Sequence, residues 1–403
     1  MINPKYFLER LKDVAFRDYL SFFQMIMALL LVPLYKKKYS GMWLICEEPY
    51  EAKDNGYHFF KYMCECHKNQ KCYYAIKKKS KDFHKVTRVG EVIGYGSIKH
   101  WLAYFLCEYN ISSQKGGKPN AAVCQFMELN KIFKTQNVFL QHGIIINDCR
   151  WLYADRSCFK FFLTSTNPEK EFVENRFGYE KGIVQLTGLS RFDALHDATI
   201  NQKQIVIMPT WRYWFVIKSK ETEESLLEFR NSEYFKKWIQ LLNSSEMEQL
   251  AKKYALKIIF YPHRNLQRFI HDFSIVKSYI TVASQNEFDI QKLLKSSALM
   301  VTDYSSVFFD MVYMKKPVVF YQFDEQKFRD HQYKQGYFNY HSNPFGNSFD
   351  NYVDVVREIE RLTENGYSIS KEAEIEHKEI FKYWDTNNSE RIYHLLTSKS
   401  DRV

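Results

Sequence analysis

The chain has 403 residues and a formal net charge of +10, with 33 Phe and 29 Tyr but only 14 Gly and 9 Pro. That length exceeds one typical core, so two folding units are expected, and the low Gly and Pro content excludes collagen-like, low-complexity and disordered chains. The eight cysteines have no framework spacing and sit mostly in apolar runs, which points to reduced thiols and excludes a disulfide-stapled scaffold.

The charge is concentrated at the start. Residues 1–40 carry seven Lys/Arg against three acids, and residues 61–88 carry nine against two, so these segments hold the whole excess. Two local basic patches suit an anionic surface or polymer as partner, and a nucleic-acid binder is not the expectation. The first patch brackets the apolar run YLSFFQMIMALLLVPLY at 19–35, which Lys36, Lys37 and Lys38 follow. A helix of that length covers about 25 Å, short of the roughly 30 Å hydrocarbon core. Gln24 and Pro33 interrupt it further, and no small-residue cleavage site follows, so neither a spanning helix nor a signal peptide is expected. An interfacial helix with a basic flank fits, which places the protein peripherally on the cytoplasmic face of the cell membrane.

Strands are then expected at 42–46, 72–76, around Ile111, at 138–140 and at 161–164, with helices at 54–66 and 98–106 and a loop through Gly116, Gly117 and Pro119. A second series follows from about residue 204. It has strands at 205–208, 257–261, 299–302 and 318–321, helices at 225–242, 245–254 and 287–296, and a long last helix at 370–398. Buried strands alternating with helical stretches predict an α/β chain with parallel sheets covered by helices.

Five of these strands end in unusual polar tips: Gln141, His142 and Gly143; Thr210, Trp211 and Arg212; His263 and Arg264; Asp303 to Ser306; and Gln322 to Glu325. Carboxyl ends of parallel strands share one edge, so the last four tips converge on one crevice, which His142 faces from the other unit. In the stretch 299–321 (LMVTDYSSVFFDMVYMKKPVVFY) the turn at Asp303, Tyr304, Ser305 and Ser306 offers free backbone amides and hydroxyls to a phosphate. No metal site is expected: Cys64, Cys66, His67 and Cys72 lack paired zinc spacing, and Asp324–Glu325 would hold a cation only weakly.

The segments FLQHGIIIND (139–148), TSTNPEKEFV (164–173), GLSRFDAL (188–195), MPTWR (208–212), YPHR (261–264), TDYSSVFFDMVYMKKPVVFYQFD (302–324) and FKYWDTNNSERIY (381–393) resemble the CDP-glycerol glycerophosphotransferase family. DNGYHFFKY (54–62) is similar to its amino-terminal segment. The resemblance implies a GT-B fold: two Rossmann-like domains with a cleft between them. The membrane-associating segment would be 1–38, the acceptor domain 39–198, the CDP-donor domain 199–370, and the helix returning across both 371–403. It implies transfer of glycerol phosphate or ribitol phosphate from a CDP-polyol donor to a hydroxyl of an anionic lipid-linked glycan or polymer, as in teichoic acid or capsule synthesis, with release of CMP. A GT-B nucleotide-sugar glycosyltransferase is the alternative. No tightly bound cofactor is implied, and Mg2+ is left open. The resemblance makes His142 the base, with Asp148 or another carboxylate orienting it. Arg212 and His263 would stabilise phosphoryl charge. Thr210, Arg264, Asp303, Ser305 and Ser306 would bind the donor, and Asp310 would reach the ribose.

Overall fold

The computed structural model describes residues 16–133, 135–197, 199–216, 222–273, 277–285 and 287–398. The first half contains β1 (Trp43–Cys46), β2 (Cys72–Ile76), β3 (Val92–Gly94), β4 (Tyr109–Ser112), β5 (Asn137–Phe139), β6 (Asn147–Asp148), β7 (Phe159–Thr164) and β8 (Val184–Leu186). The second contains β9 (Asn201–Ile207), β10 (Lys257–Phe260), β11 (Ile280–Val282), β12 (Ser297–Thr302), β13 (Val318–Tyr321), β14 (Lys334–Gln335) and β15 (Gly346–Phe349).

Two parallel sheets result, in the orders β3-β2-β1-β4-β5-β7-β8 and β11-β10-β9-β12-β13-β15. Counted within its own half, the second order is 3-2-1-4-5-6, the doubly wound arrangement whose order reverses beside its first strand. Both faces of each central strand are buried. In β9, Ile205 and Ile207 enter one core, while Val206 and Met208 (just past the strand) enter the other. In β1, Trp43 and Ile45 pack on one side and Leu44 and Cys46 on the other. This explains why these strands read as continuous apolar runs in the sequence.

Two long helices expected from the sequence are each divided. The stretch 225–242 becomes Glu223–Asn231 and Glu233–Asn243, because the Ser232 hydroxyl accepts the Phe235 amide at 3.1 Å and starts a new helix. The stretch 370–398 becomes Lys371–Ile380, packed in the second half, and Asn388–Thr397, whose Ile392 and Leu396 enter the first half's core. The break lets the chain cross back. At the crossing Gly188 has φ +81° and faces Asn388 so closely that a Cβ would meet its Oδ1.

The amino-terminal apolar run lies in a 24-residue helix, Phe16–Tyr39, with Pro33 inside it and Lys36, Lys37 and Lys38 in its last turn. By length and composition, its stretch Asp18–Tyr39 is long and apolar enough to cross a membrane. Met25 and Ala28 pack with Trp101 and Leu102 of the helix Ile98–Leu106. Leu20, Phe22, Phe23, Ile26, Leu29, Leu30 and Leu34 remain exposed. Residues 1–15 of the expected membrane-associating segment lie outside the described residues.

Candidate active site

The two halves meet along the carboxyl ends of their strands. The ribbon β6–β14 pairs one segment from each half, antiparallel, with Lys334 opposite Asp148. Just beyond β5 the chain turns through Gln141, which takes φ +68° although it is not glycine. Such a conformation persists only where neighbours over-determine it. Here the Asn55 side chain donates to the Gln141 carbonyl at 2.7 Å, and Gln141 Nε2 donates to Glu169 Oε1 at 2.8 Å. Glu169 also accepts the Ile145 amide at 2.6 Å and the Ser165 amide at 2.7 Å. The turn is therefore a braced mount for His142.

His142 projects from this mount with 65% of its side-chain area open to solvent. Its Nδ1 lies 2.5 Å from Asp54 Oδ2. Asp54 caps the helix Asn55–Cys66, its Oδ1 accepting the Asn55 amide at 2.8 Å. The pairing assigns the Nδ1 proton and leaves Nε2 as the accepting nitrogen. The Asp54 charge raises the His142 pKa above its ordinary value, against the nearby Arg191 and Arg264. Burial alone would raise the Asp54 carboxyl, but His142 and Arg191 outweigh it and hold it low.

Of the expected choices, Asp148 or another carboxylate, Asp148 has other partners. It accepts the Tyr153 hydroxyl at 2.9 Å and pairs with Arg176 at 3.2 Å. Asp54 takes the orienting position instead. Asp310, expected at the ribose, is buried and held by Arg191 at both oxygens, Nη2 at 2.6 Å and Nε at 2.9 Å. Arg191 Nη1 reaches Asp54 Oδ1 at 3.3 Å and the His142 carbonyl at 3.0 Å, while its amide donates to Asn55 Oδ1 at 3.0 Å. One guanidinium thus joins the imidazole's carboxylate to the helix Phe308–Tyr313 of the second half.

Arg212 does not face the junction. Its side chain is fully buried, bound bidentately to Asp324 at 2.8 and 2.9 Å and facing Asp303 Oδ2 at 2.8 Å. Its Nη1 donates to the Thr210 carbonyl at 2.9 Å. Asp303 is equally inaccessible; its Oδ1 accepts the Thr210 and Tyr304 amides at 2.7 Å each. A buried guanidinium needs such partners because desolvation is costly. Arg212, Asp303 and the Thr210 backbone therefore shape the strand tips from beneath.

Above them lie His263, Arg264, Ser305 and Ser306. A Cβ built on Gly143 would sit 3.3 Å from Ser306 Oγ, so the His142 turn and the serine turn face one another closely. The Ser305 and Ser306 amides have no intramolecular acceptor among the described residues. His263 stacks near Trp211, with ring centroids 6.1 Å apart. Burial pushes its pKa down to about 3, with His142 and Arg264 adding to the effect. His263 is therefore neutral near pH 7 and meets phosphoryl charge as a hydrogen-bond donor. The Asn265 amide donates to its Nδ1 at 3.2 Å, which leaves Nε2–H as a donor. Arg264 reaches across the halves to Glu51 Oε2 at 3.4 Å.

Sequence reasoning missed Asp54, Asn55 and Arg191 as site residues. The helix expected at 54–66 and the segment GLSRFDAL (188–195) contain Asp54 and Arg191, but neither stretch by itself shows that the two side chains meet at His142. Among the described residues, no group of three His, Cys, Asp or Glu side chains could hold a metal ion.

Residues 25–398 match the family model described as CDP-Glycerol:Poly(glycerophosphate) glycerophosphotransferase. The chain belongs to this family. Its relatives include the minor teichoic acid biosynthesis protein GgaB of Bacillus subtilis (strain 168), 32% identical over 88% of this chain and 39% of that protein. The teichoic acid glycerol-phosphate transferase of Staphylococcus aureus (strain NCTC 8325 / PS 47) is 22% identical over 65% of this chain and 64% of its own. The chain thus spans only about two-fifths to two-thirds of the length of the first curated relatives. The wall teichoic acid polymerase TagF shares the fold with TM-score 0.65 at 15% identity, over 95% of this chain and 98% of that one. A Methanocaldococcus jannaschii UDP-GlcNAc 2-epimerase shares it more distantly, with TM-score 0.53 at 11% identity, over 88% and 99%.

Proposed function

We propose that this chain transfers a polyol phosphate, glycerol phosphate or ribitol phosphate, from a CDP-activated donor to a hydroxyl of a lipid-linked teichoic acid or capsular polymer, releasing CMP. The observation that carries the reading is the exposed His142 imidazole, fixed through Nδ1 by Asp54 and opposed by Ser306 of the other half. The family match, the teichoic acid relatives and TagF structures soaked with CDPG support the choice of donor. In this reading the fold is of GT-B type, with an acceptor domain at 39–198 and a donor domain at 199–370.

His142 Nε2 accepts the proton of the acceptor hydroxyl as its oxygen attacks the polyol-bearing phosphorus. The bond from that phosphorus to the CMP oxygen breaks, and CMP leaves with both bonding electrons. His263 Nε2–H and the Ser305 and Ser306 amides and hydroxyls donate to the phosphoryl oxygens that gain charge, and Arg264 supplies the positive charge that Arg212 cannot. The exposed apolar face of Phe16–Tyr39, with its Lys36–Lys38 flank, supports a peripheral position on the cytoplasmic face of the membrane. Lys77, Lys78, Lys79 and Lys81 would steer an anionic acceptor towards the junction.

The test is a donor panel with the purified chain: CDP-glycerol, CDP-ribitol and several nucleotide sugars, with nucleotide release and product mass as readouts. CMP release from a CDP-polyol, with a phosphodiester product, is expected. Turnover of a nucleotide sugar alone would replace this reading with glycosyl transfer. His142→Ala and His263→Ala are expected to keep the wild-type melting temperature and lose about 10²–10⁴ in turnover. Near-native CMP release by His142→Ala would break the assignment.

A further inference from the structure

A cavity of about 500 Å3 opens on the first sheet, lined by Lys115, Lys118, Gln125, Trp151 and Arg156 among others, and it does not include His142. Its size suits one ligand unit. Lys115 and Lys118 follow the tip of β4, the parallel neighbour of β5, which leads to His142; Ser112 lies opposite Phe139 in that pair. Trp151 and Arg156 come from the turns that follow the His142 loop. On the other flank, the helix Ala121–Leu129 forms a wall. Its capping residue Asn120 donates to Asp18 Oδ1 at 2.8 Å, which ties that wall to the amino-terminal apolar helix.

The cavity is short of negative charge. Lys118 is neutralised by Glu128 at 2.5 Å, and Asp155 is taken by Arg150. Among the described residues Lys115 Nζ donates only to the backbone carbonyls of Trp151 and Arg156, at 2.7 Å each, which leaves it one N–H. The Arg156 guanidinium has no acceptor among the described residues. Burial, with Lys118 and Arg156 close by, pushes Lys115 down to about 8. Beside these cations Trp151 is 46% exposed.

We propose that this cavity is an acceptor subsite that holds a phosphate-bearing sugar or polyol unit behind the hydroxyl that reacts at His142. The inference rests on the transferase reading above and adds where the acceptor chain is held. The Arg156 fork and the free Lys115 N–H meet a phosphate, and the indole covers the apolar face of the attached sugar or polyol. The cavity's position, between the wall tied to the apolar helix and the strand pair leading to His142, lets a membrane-anchored chain pass through it to the reaction centre.

The probe is a synthetic glycerol-phosphate oligomer of several units, used as acceptor and as titrant in calorimetry without donor. Arg156→Glu is expected to weaken oligomer binding at least about tenfold and to raise its KM alike, and Trp151→Ala about threefold or more. Both should leave kcat, the donor KM and the melting temperature unchanged, because neither side chain has a polar partner among the described residues. Weaker dependence of oligomer binding on salt should accompany Arg156→Glu. Unchanged oligomer affinity in Arg156→Glu would overturn the subsite, whether or not the wild type turns over a CDP-polyol. A wild type that binds the oligomer through Arg156 but releases no CMP would keep the subsite and defeat the transferase reading.

Discussion

Arg191 and Arg212 are each held bidentately by one aspartate and approached by a second, yet they serve different ends. Arg212 lies wholly inside the second half, beneath the strand tips, between Asp303 and Asp324. Arg191 lies between the halves, with Asp310 on one side and Asp54, itself bound to His142, on the other. The same chemistry is structural where every partner belongs to one core. It becomes part of the site where the partners come from both halves and one of them sets a solvent-open imidazole. Placement, not residue type, separates the two roles.

That contrast can be broken most forcefully at Arg212. Arg212→Ala leaves Asp303 and Asp324 buried without a countercharge, and losing one partner of such a group costs about 3–5 kcal/mol. The expected result is a large fall in the urea midpoint, with activity lost only as folded protein is lost. A variant that keeps its midpoint and loses turnover would return Arg212 to the chemistry.

Asp54→Asn should act in the opposite sense: little change in stability, but a fall in kcat/KM of about 10²-fold, because the imidazole loses its fixed tautomer. The pH profile gives the sharper reading. The base works deprotonated, so activity rises with pH through the His142 pKa, which Asp54 holds above the ordinary value. Removing that charge moves the acid limb to lower pH while the plateau falls. An acid limb that stays in place would show that another group titrates.

Asp310→Asn is the mildest of the three. It weakens one end of the Arg191 link and leaves Asp54 and His142 in contact, so a loss of about tenfold in kcat/KM is expected, the scale of one charged hydrogen bond. Freed from Asp310, the guanidinium charge leans further on His142, so the acid limb should shift slightly downward. A loss as large as that of Asp54→Asn would mean that Asp310 touches substrate after all.

Much of this was legible beforehand, for identifiable reasons. The strands at 72–76 and 318–321 and the helix at 98–106 match the sequence expectation to the residue; for the two strands, unbroken apolar runs bounded by polar turns allow little else. His142, His263, Ser305 and Ser306 were placed at strand ends by the same logic, and the structure does gather the two turns that carry His142 and Ser306. The reading went astray where a polar strand end had two places to point. Arg212 follows its strand as His263 follows another, but two carboxylates drew it inward. The divided helices at Ser232 and at 381–387 carried no Gly or Pro to announce the break, which a serine cap and the need to cross between halves imposed instead.

The sequence by itself determined the α/β class, the strands and the set of polar tips, because burial of both strand faces and the amide chemistry of a strand-to-helix turn are local properties. Only the tertiary structure decided which carboxylate holds His142, because Asp54 and His142 are 88 positions apart and meet at 2.5 Å only when a helix start is packed against the turn after β5. It likewise decided that Arg191, and not Arg212, spans the halves, since the destination of a guanidinium is set by where unpaired carboxylates come to rest.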